Sequence, residues 1–292
     1  MKCFKIFSAA LFLFACIEAT ANRQILKTHE VIVKKGESYH GVFFPEGSHL
    51  NIVDQTKAVA SAVLSQDFKM GHHLIKAGTN LIIWDSGMLA EITTKEGQRI
   101  NNLVFAEGEA RIRFNQEAKP EEINLNRPKE VEGLVYAESY QIKIHANGKI
   151  SSGTLARDQE KEGLKLRAKT EVHFFESGKL KQLRLAEASQ FGKFLLVGDA
   201  NIANPGETEF WENGNLKAGV LAKNVEIQGI ICGPGPISFF ESGKLKSFVV
   251  GADRVVSLDP YPGQAPAERA VKPGDTLNMN EAGKFIGWGG KR

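Results

Sequence analysis

Aromatic residues recur in adjacent pairs along this chain, and these rings are the side chains best suited to bind a ligand. One member of each pair, together with Trp84, which follows Ile83, is a candidate for a surface row: Phe44, Trp84, Phe175, Trp211 and Phe240. Consecutive residues of a β-strand point to opposite faces, so one ring packs in the core while the other is free to stack on a glycan or a partner protein. Such a row is a candidate binding surface, while the default expectation is that both rings of each pair are core and half-covered sheet.

A carboxylate follows each aromatic pair, as in Asp85, Glu176, Glu212 and Glu241. Recurrence at one turn position is typical of an acid that stabilises a hairpin, whereas acid–base catalysis needs two unlike, convergent carboxylates. The chain also contains no nucleophile elbow, phosphate-binding loop or dinucleotide fingerprint. The sequence therefore predicts no catalytic residues and a protein that is not an enzyme.

The histidines and the charges argue against metal and nucleic-acid binding. His72 and His73 are adjacent, so on a strand they point to opposite faces, and no acid or cysteine stands beside them at a zinc-like spacing. We expect neither a metal site nor a cofactor. Basic and acidic residues are interspersed at a formal net charge of +3, without the basic stripe that nucleic-acid binding requires.

The aromatic pairs belong to a repeat. The octapeptide "FFESGKLK" occurs at residues 174–181 and again at 239–246, and looser copies include "FWENGNLK" at 210–217 and "IIWDSGML" at 82–89. Turn glycines recur about every 30 residues, with insertions at three points, and Ala118 takes the glycine position in one degraded copy. These predicted turn glycines are Gly47, Gly87, Gly148, Gly178, Gly214, Gly243 and Gly283.

Asn-Gly and Ser-Gly between apolar runs are strong hairpin signals, because both residues tolerate positive φ. The flanking runs are rich in aromatic and β-branched residues, and residues 56–68 match them in repeat position, so we expect strand rather than helix there. Each unit offers about four short strands and too little core to fold alone. The sequence predicts an all-β, antiparallel array of about eight β-hairpin units, either an open solenoid-like sheet or a partly closed β-roll.

The motifs "FFESGKLK", "FWENGNLK" and "IIWDSGML" resemble the MORN class of short β-hairpin repeats, in particular the bacterial variant built on aromatic-x-x-Gly-x-Leu. The resemblance covers most of the chain and rests on about eight positions per unit. The unit is longer than the family's usual one, which leaves the shape of the sheet open. The resemblance implies a scaffold or a binding surface rather than an enzyme.

The N-terminus has the pattern of an export signal. Lys2 and Lys5 precede an apolar run, and a small-x-small site ends at Ala21, so residues 1–21 are expected to be a signal peptide. A lipoprotein-type signal ending at Cys16 is the alternative, with Cys16 then carrying the lipid. Simple cleavage leaves Cys232 without a disulfide partner, and its apolar context predicts a buried side chain.

Residues 22–292 are expected to form one repeat domain, with a soft subdivision near 117–133 where the chain is charged and contains proline. No later apolar run is long enough to span a bilayer. The absence of an Asn-x-Ser/Thr acceptor favours a bacterial over a eukaryotic secreted protein.

Together these features predict an exported, non-enzymatic binding or scaffold module of the bacterial cell envelope, lying in the periplasm or outer envelope, lipid-anchored or secreted. The partner is an envelope protein or a glycan, and the oligomeric state is left open. The alternatives are a carbohydrate-active enzyme on a β-solenoid and a lipid-carrying periplasmic β-jellyroll. The first would need clustered acids in a cleft, and the second an apolar trough.

Overall fold

Turn chemistry every few residues makes the chain a succession of short β-strands. The computed structural model describes residues 27–39, 41–198, 207–258 and 267–289, and within these ranges no helix occurs. The predicted signal peptide and Cys16 lie outside the described residues. In chain order the strands are β1 Thr28–Ile32, β2 His49–Val53, β3 Val59–Val63, β4 Phe68–Met70, β5 His73–Ile75, β6 Asn80–Ile83, β7 Leu89–Thr93, β8 Gln98–Ile100, β9 Leu103–Phe105, β10 Ala110–Phe114, β11 Pro120–Leu125, β12 Lys129–Val131, β13 Leu134–Tyr136, β14 Gln141–Ile144, β15 Ile150–Thr154, β16 Gln159–Lys161, β17 Leu164–Leu166, β18 Glu171–Phe174, β19 Leu180–Leu183, β20 Ser189–Phe191, β21 Phe194–Leu196, β22 Thr208–Phe210, β23 Leu216–Leu221, β24 Val225–Ile227, β25 Ile230–Phe239, β26 Leu245–Val250, β27 Arg254–Leu258, β28 Ala267–Val271, β29 Thr276–Met279 and β30 Phe285–Trp288.

A long main sheet runs through the whole array as an antiparallel meander. It begins with β1 and continues through eight hairpins, each paired with the next: β2–β3, β6–β7, β10–β11, β14–β15, β18–β19, β22–β23, β25–β26 and β29–β30. The sheet stays open rather than closing on itself. A single parallel pairing, Leu258 with Phe285, joins β27 to β30 near its end. The predicted all-β array of about eight hairpin units is confirmed.

Smaller hairpins form a second layer over one face of this sheet. They are β4–β5, β8–β9, β12–β13, β16–β17, β20–β21, β24 with the start of β25, and β27–β28. Three of them turn on two residues that both have positive φ, such as Glu132 (51°) and Gly133 (80°). This geometry suits a two-residue turn, because it matches the twist of the flanking strands. Each unit but the last thus supplies two strands to each layer, the four strands expected from the repeat.

The core lies between the two layers and is continuous along the array. Phe105 and Leu164 of the second layer belong to one buried cluster with Ile112 of the main sheet. Gly153 shows how closely the layers approach, since a Cβ at this position would lie 2.6 Å from Cδ1 of Tyr136. The opposite face of the main sheet, here called the open face, carries polar side chains that alternate with buried ones, as along β10.

The repeated hairpin turn has three residues between its paired ends. In the fifth unit the Phe175 amide donates to Lys179 O (2.9 Å), and the Gly178 amide donates to Phe175 O (2.8 Å). Gly178 has φ of 88°, a left-handed conformation that side chains with a Cβ adopt at a cost. All seven predicted turn glycines have φ between 79° and 89°, and Ala118 takes the same conformation at 57°.

The first of these glycines belongs to a different turn from the one expected. The Gly47 amide donates to Val33 O, and this places it in the turn that precedes β2 rather than in a hairpin turn of the main sheet. The first hairpin turn is instead closed by Lys57, which has φ of 59° and whose amide donates to Val53 O. Lys57 precedes Gly87 by 30 residues, the same interval as between Gly148 and Gly178. Because a lysine occupies the glycine position, the repeat pattern in the sequence did not identify this turn.

Residues 117–133, the proposed site of a subdivision, form β11, β12 and their turns. β11 pairs with β10 on one side and with β14 on the other, so the main sheet is continuous across this segment.

Candidate binding surface

Four of the five rings proposed as a surface occupy one structural position, the last residue before a hairpin turn. Here the chain has just placed a buried residue in the core, so the next residue faces the open side. Phe174 is buried in this way, and Phe175 follows it on the open face, half-buried. Trp84, Phe175, Trp211 and Phe240 all lie there with intermediate exposure. We call this position in successive units the turn row: Trp84, Asn115, His145, Phe175, Trp211, Phe240 and Asn280.

Phe44 is not part of the turn row. It is buried, with 5% of its surface exposed, whereas its neighbour Phe43 is 65% exposed. The expected orientation of this pair was therefore wrong. Phe44 packs against Phe68 of the second layer, with ring centres 6.0 Å apart. The pair lies before β2 in an irregular segment, where alternation along a strand gives no guide to which ring faces inward.

A lysine accompanies each of the last three aromatic rings of the turn row. Lys181 Nζ lies 5.8 Å from the centre of the Phe175 ring, and Lys246 Nζ lies 5.7 Å from that of Phe240. Lys217 Nζ lies 5.3 Å from the Trp211 ring and also 2.7 Å from Glu209 Oε2. Cation–π contacts at exposed sites contribute about 0.5–1 kcal/mol each. The lysine stem therefore holds one side of each ring and places a cation beside it.

A β-bulge brings these lysines to the open face. Phe174 pairs with Leu180 while His173 pairs with Gln182, so Lys181 is an extra residue without a partner on the opposite strand. The same register shift occurs at Lys217 and Lys246. Bulges re-aim a side chain in this way without ending the pairing. Sequence comparison missed this role, although the signal was present: each lysine is the last letter of the repeated octapeptide.

Hydrogen bonds between successive turns fix the spacing of the row. Side chains of one turn donate to backbone carbonyl groups of the next turn along the array. They include Asn147 Nδ2 to Glu176 O (2.7 Å), Lys149 Nζ to Ser177 O (2.7 Å), Lys179 Nζ to Glu212 O (3.0 Å), Trp211 Nε1 to Phe239 O (3.3 Å) and Asn213 Nδ2 to Glu241 O (3.0 Å). Neighbouring turns are two strands apart, or roughly 9.5 Å.

Two polar groups without partners lie together at the start of the turn row. Trp84 Nε1 is buried and has no hydrogen-bond partner among the described residues. Glu91 is only 6% exposed and forms neither a hydrogen bond nor an ion pair within the described ranges. Ile82 pairs directly with Glu91, so Trp84 is a diagonal neighbour of Glu91 on the open face. Buried polar groups without partners are uncommon, and Trp84 Nε1 is such an exception among the described residues.

Arginines face this corner from the next strand. Arg113 pairs directly with Glu91, and Arg111 lies two residues away on the same strand and face. Burial raises the pKa of the Glu91 carboxyl, and the positive charges of Arg111 and Arg113 offset part of that rise. Arg113 also contacts Glu122, with Nη1 2.8 Å from Oε2. The polar row across these strands thus alternates in charge, from Glu91 through Arg113 and Glu122 to Lys143.

Two depressions lie outside the row of Phe175, Trp211 and Phe240. One of about 360 Å³ is lined by charged residues that include Asp67, Lys76 and Lys95. The other, of about 350 Å³, is mainly apolar and lies beside Phe43 and Met88.

Cys232 and His73 both lie within the packed structure. Cys232 is fully buried, and burial raises the pKa of its thiol to about 12, so the thiol stays protonated at neutral pH. His73 Nε2 lies 2.9 Å from Ala118 O in a hydrogen bond between the two layers. Within the described parts of the chain, no three His, Cys, Asp or Glu residues are arranged to hold a metal ion.

No protein-family model matches this chain, and no curated protein matches it. The resemblance to MORN repeats therefore stays a prediction. In the ranges that the structure describes, no helix is long and apolar enough to cross a membrane.

Proposed function

We propose that this protein is an exported, non-enzymatic binding module of the bacterial cell envelope, built of MORN-like repeats, and that it holds an extended glycan along the turn row. The observation that carries the proposal is the row of Phe175, Trp211 and Phe240. Three successive units place one half-exposed ring in the same position on the same face. A linear polymer with repeating sugar rings is the ligand that such a periodic row of platforms suits.

The chemistry around the rings favours a glycan over a folded protein partner. Protein interfaces have a contiguous apolar centre, whereas the turn row alternates rings with lysines and includes the polar residues Asn115 and Asn280. Sugars combine apolar ring faces with hydroxyl groups that both donate and accept hydrogen bonds. Lys181 and Lys246 lie beside two of the rings, and their ammonium groups donate to such hydroxyl groups.

Binding of defined oligosaccharides tests the proposal. Tryptophan fluorescence would be titrated with oligomers of β-1,4-linked N-acetylglucosamine and of galacturonate, each over a range of lengths. We expect affinity to rise with length until the oligomer spans all three rings, roughly 19 Å. Loss of one ring in Phe175→Ala or Phe240→Ala should weaken binding about fivefold, the equivalent of about 1 kcal/mol.

Phe43→Ala is the matched control, because Phe43 is an exposed phenylalanine outside the turn row. Its affinity should equal that of the unaltered protein. Equal affinities for Phe175→Ala, Phe240→Ala and Phe43→Ala would contradict the proposal, as would absence of binding to every oligomer of both series.

A carbohydrate-active enzyme is the second candidate, because the open face brings two carboxylates near one arginine. Glu91 and Glu122 flank Arg113 on successive strands, and the raised pKa of Glu91 is what a general acid needs. This reading predicts new reducing ends when the protein is incubated with the same oligomers, and their loss in Glu91→Gln. Intact oligomers after prolonged incubation, or hydrolysis that survives Glu91→Gln, would refute it.

A further inference from the structure

The outward surface of the second layer is one residue wide and follows a simple rule. In the first four of its small hairpins each strand has three residues; the outer two pack inward or stay half-buried, and the middle one points away from the main sheet. In β8 and β9, for example, Ile100 and Phe105 are buried while the cross-strand pair Arg99 and Val104 is exposed. The outer row formed in this way begins with Lys69, Leu74, Arg99, Val104, Glu130, Val135 and Glu160.

The outer row is continuous because side-chain contacts join neighbouring hairpins of the second layer. Gln98 of β8 donates from Nε2 to Leu74 O of β5 (3.0 Å). Gln159 of β16 accepts from the Val135 amide (2.6 Å) and donates to Val135 O (2.8 Å). Between β9 and β12, Lys129 Nζ lies 5.2 Å from the centre of the Phe105 ring. The strands therefore follow one another in chain order, with one outward side chain each.

Charged and aliphatic residues alternate along this row; two of its three aliphatic members are exposed, and the third, Val135, is half-buried. Leu74 is 53% exposed and Val104 is 46% exposed. The side chains of the four charged members, Lys69, Arg99, Glu130 and Glu160, form no hydrogen bond or salt bridge within the described residues, although Glu160 lies directly opposite Lys165 and the two charges attract each other. An exposed strip with unpaired charges of both signs and aliphatic side chains between them has the composition of an interface.

The order of residues in the row is self-complementary. When a second copy is turned by a two-fold axis through Val104, its row runs in the opposite direction over the first. Lys69 then faces Glu160, Arg99 faces Glu130 and Leu74 faces Val135, while Val104 meets its own copy. Every charge meets the opposite charge and every aliphatic side chain meets another. The next residue, Lys165, is paired with Glu187 of its own chain and lies beyond this stretch.

We propose that the outer row is a self-association surface, and that two copies of this chain pack face to face across it with a two-fold axis at Val104. Such an interface is isologous and closed, because each copy contributes the same patch. Two identical repeat arrays have the same period, so the alignment at Val104 extends to its neighbours on both sides. The main sheet's open face, with the turn row, remains free in this dimer.

Charge reversal provides a decisive test. Lys69→Glu with Arg99→Glu makes the four charged positions of the row acidic, and Glu130→Lys with Glu160→Lys makes them basic. Sedimentation equilibrium should show a concentration-dependent dimer for the unaltered protein, weakened by salt. Each double variant alone should have a dissociation constant at least about 30-fold higher, because four ion pairs become repulsive. An equimolar mixture of the two variants should regain the dimer as a heterodimer, detectable by native mass spectrometry.

Two further variants distinguish a specific loss of the dimer from a general loss of folding. Val104→Lys places like charges at the axis and should give a monomer with an unchanged circular dichroism spectrum. Lys143→Glu with Lys244→Glu alters exposed lysines away from the outer row and should leave the dimer intact. The proposal is overturned if the unaltered protein stays monomeric at its highest soluble concentration, if it forms larger assemblies, or if the mixed variants fail to pair.

Discussion

Lys181 Nζ lies 5.8 Å from the centre of the Phe175 ring, and the same pairing recurs between Lys217 and Trp211 and between Lys246 and Phe240. In each case the lysine follows the ring by six positions in the chain, and a β-bulge brings the two side chains to the same face. The conserved geometry in three successive units makes the lysine part of the turn row rather than an ordinary solvated residue.

Removal of the Lys181 ammonium group, with the aliphatic part of the side chain kept, should weaken the fold slightly. We expect Lys181→Met to lower the free energy of unfolding by about 0.5 kcal/mol, since the cation–π contact is lost but the packing of the stem remains. Urea denaturation measures the change. Lys244→Met is the control, because Lys244 is an exposed lysine of a hairpin turn in the same sheet and is not stacked on a ring; an equal loss in both variants would contradict the expectation.

Substitutions at Gly178 and at Lys57 should change the stability of the protein in opposite directions. Gly178→Ala forces a Cβ into φ of 88° and should destabilise the protein by about 1–2 kcal/mol. Lys57 has φ of 59° in the corresponding turn of the first unit. Lys57→Gly should therefore stabilise by about 0.5–1 kcal/mol, after the entropy of the more flexible unfolded chain is deducted. Thermal unfolding of both variants checks the pair, and two shifts of the same sign would refute the assignment of Lys57.

The buried carboxyl of Glu91 should make stability depend on pH. Because its folded pKa is raised above the ordinary value of 4.5, the folded state holds the proton more tightly than the unfolded state. The stability contributed by protonated Glu91 is present below pH 4.5 and is lost as pH rises through the folded pKa. Glu91→Gln should thus gain stability relative to the unaltered protein as pH rises from 4 to 7. Urea unfolding at several pH values gives the difference, and one that is independent of pH would exclude this role.

The contact between layers should be intolerant of any side chain at Gly153. Gly153→Ala places its Cβ 2.6 Å from the Tyr136 ring and should destabilise by about 1–3 kcal/mol, as overpacked cores do. Gly219→Ala is a close comparison, since its nearest neighbour is the flexible end of Leu196 at 3.3 Å. We expect a clearly smaller effect there. Similar melting temperatures for the two variants would contradict the close approach at Tyr136.

The two processing routes of the N-terminus predict different products. Simple cleavage after Ala21 gives a soluble chain that begins at Asn22, whereas lipidation keeps Cys16 as the first residue. Palmitate labelling of expressing bacteria distinguishes them. The favoured route predicts no label in either the unaltered protein or Cys16→Ala, and label that disappears in Cys16→Ala would show a lipoprotein.

The sequence alone determined the repeating hairpin and the all-β class. Turn chemistry is local, because residues such as Asn213 and Gly214 set the backbone conformation of their own turn. Their recurrence about every 30 residues was enough to predict some eight hairpin units. The limit of this local signal is visible at Lys57, where an untypical residue takes the left-handed position and the turn escaped recognition.

Only the tertiary structure decided which side chains meet. Phe43 and Phe44 are adjacent in the chain, and packing against Phe68 determines which of them is buried. The lysines reach the rings only through a bulge in strand pairing, and Glu91 is buried only because of its neighbours on the same sheet face. The outer row joins residues from seven strands. Such arrangements depend on register and layer packing across units, so no short segment encodes them by itself.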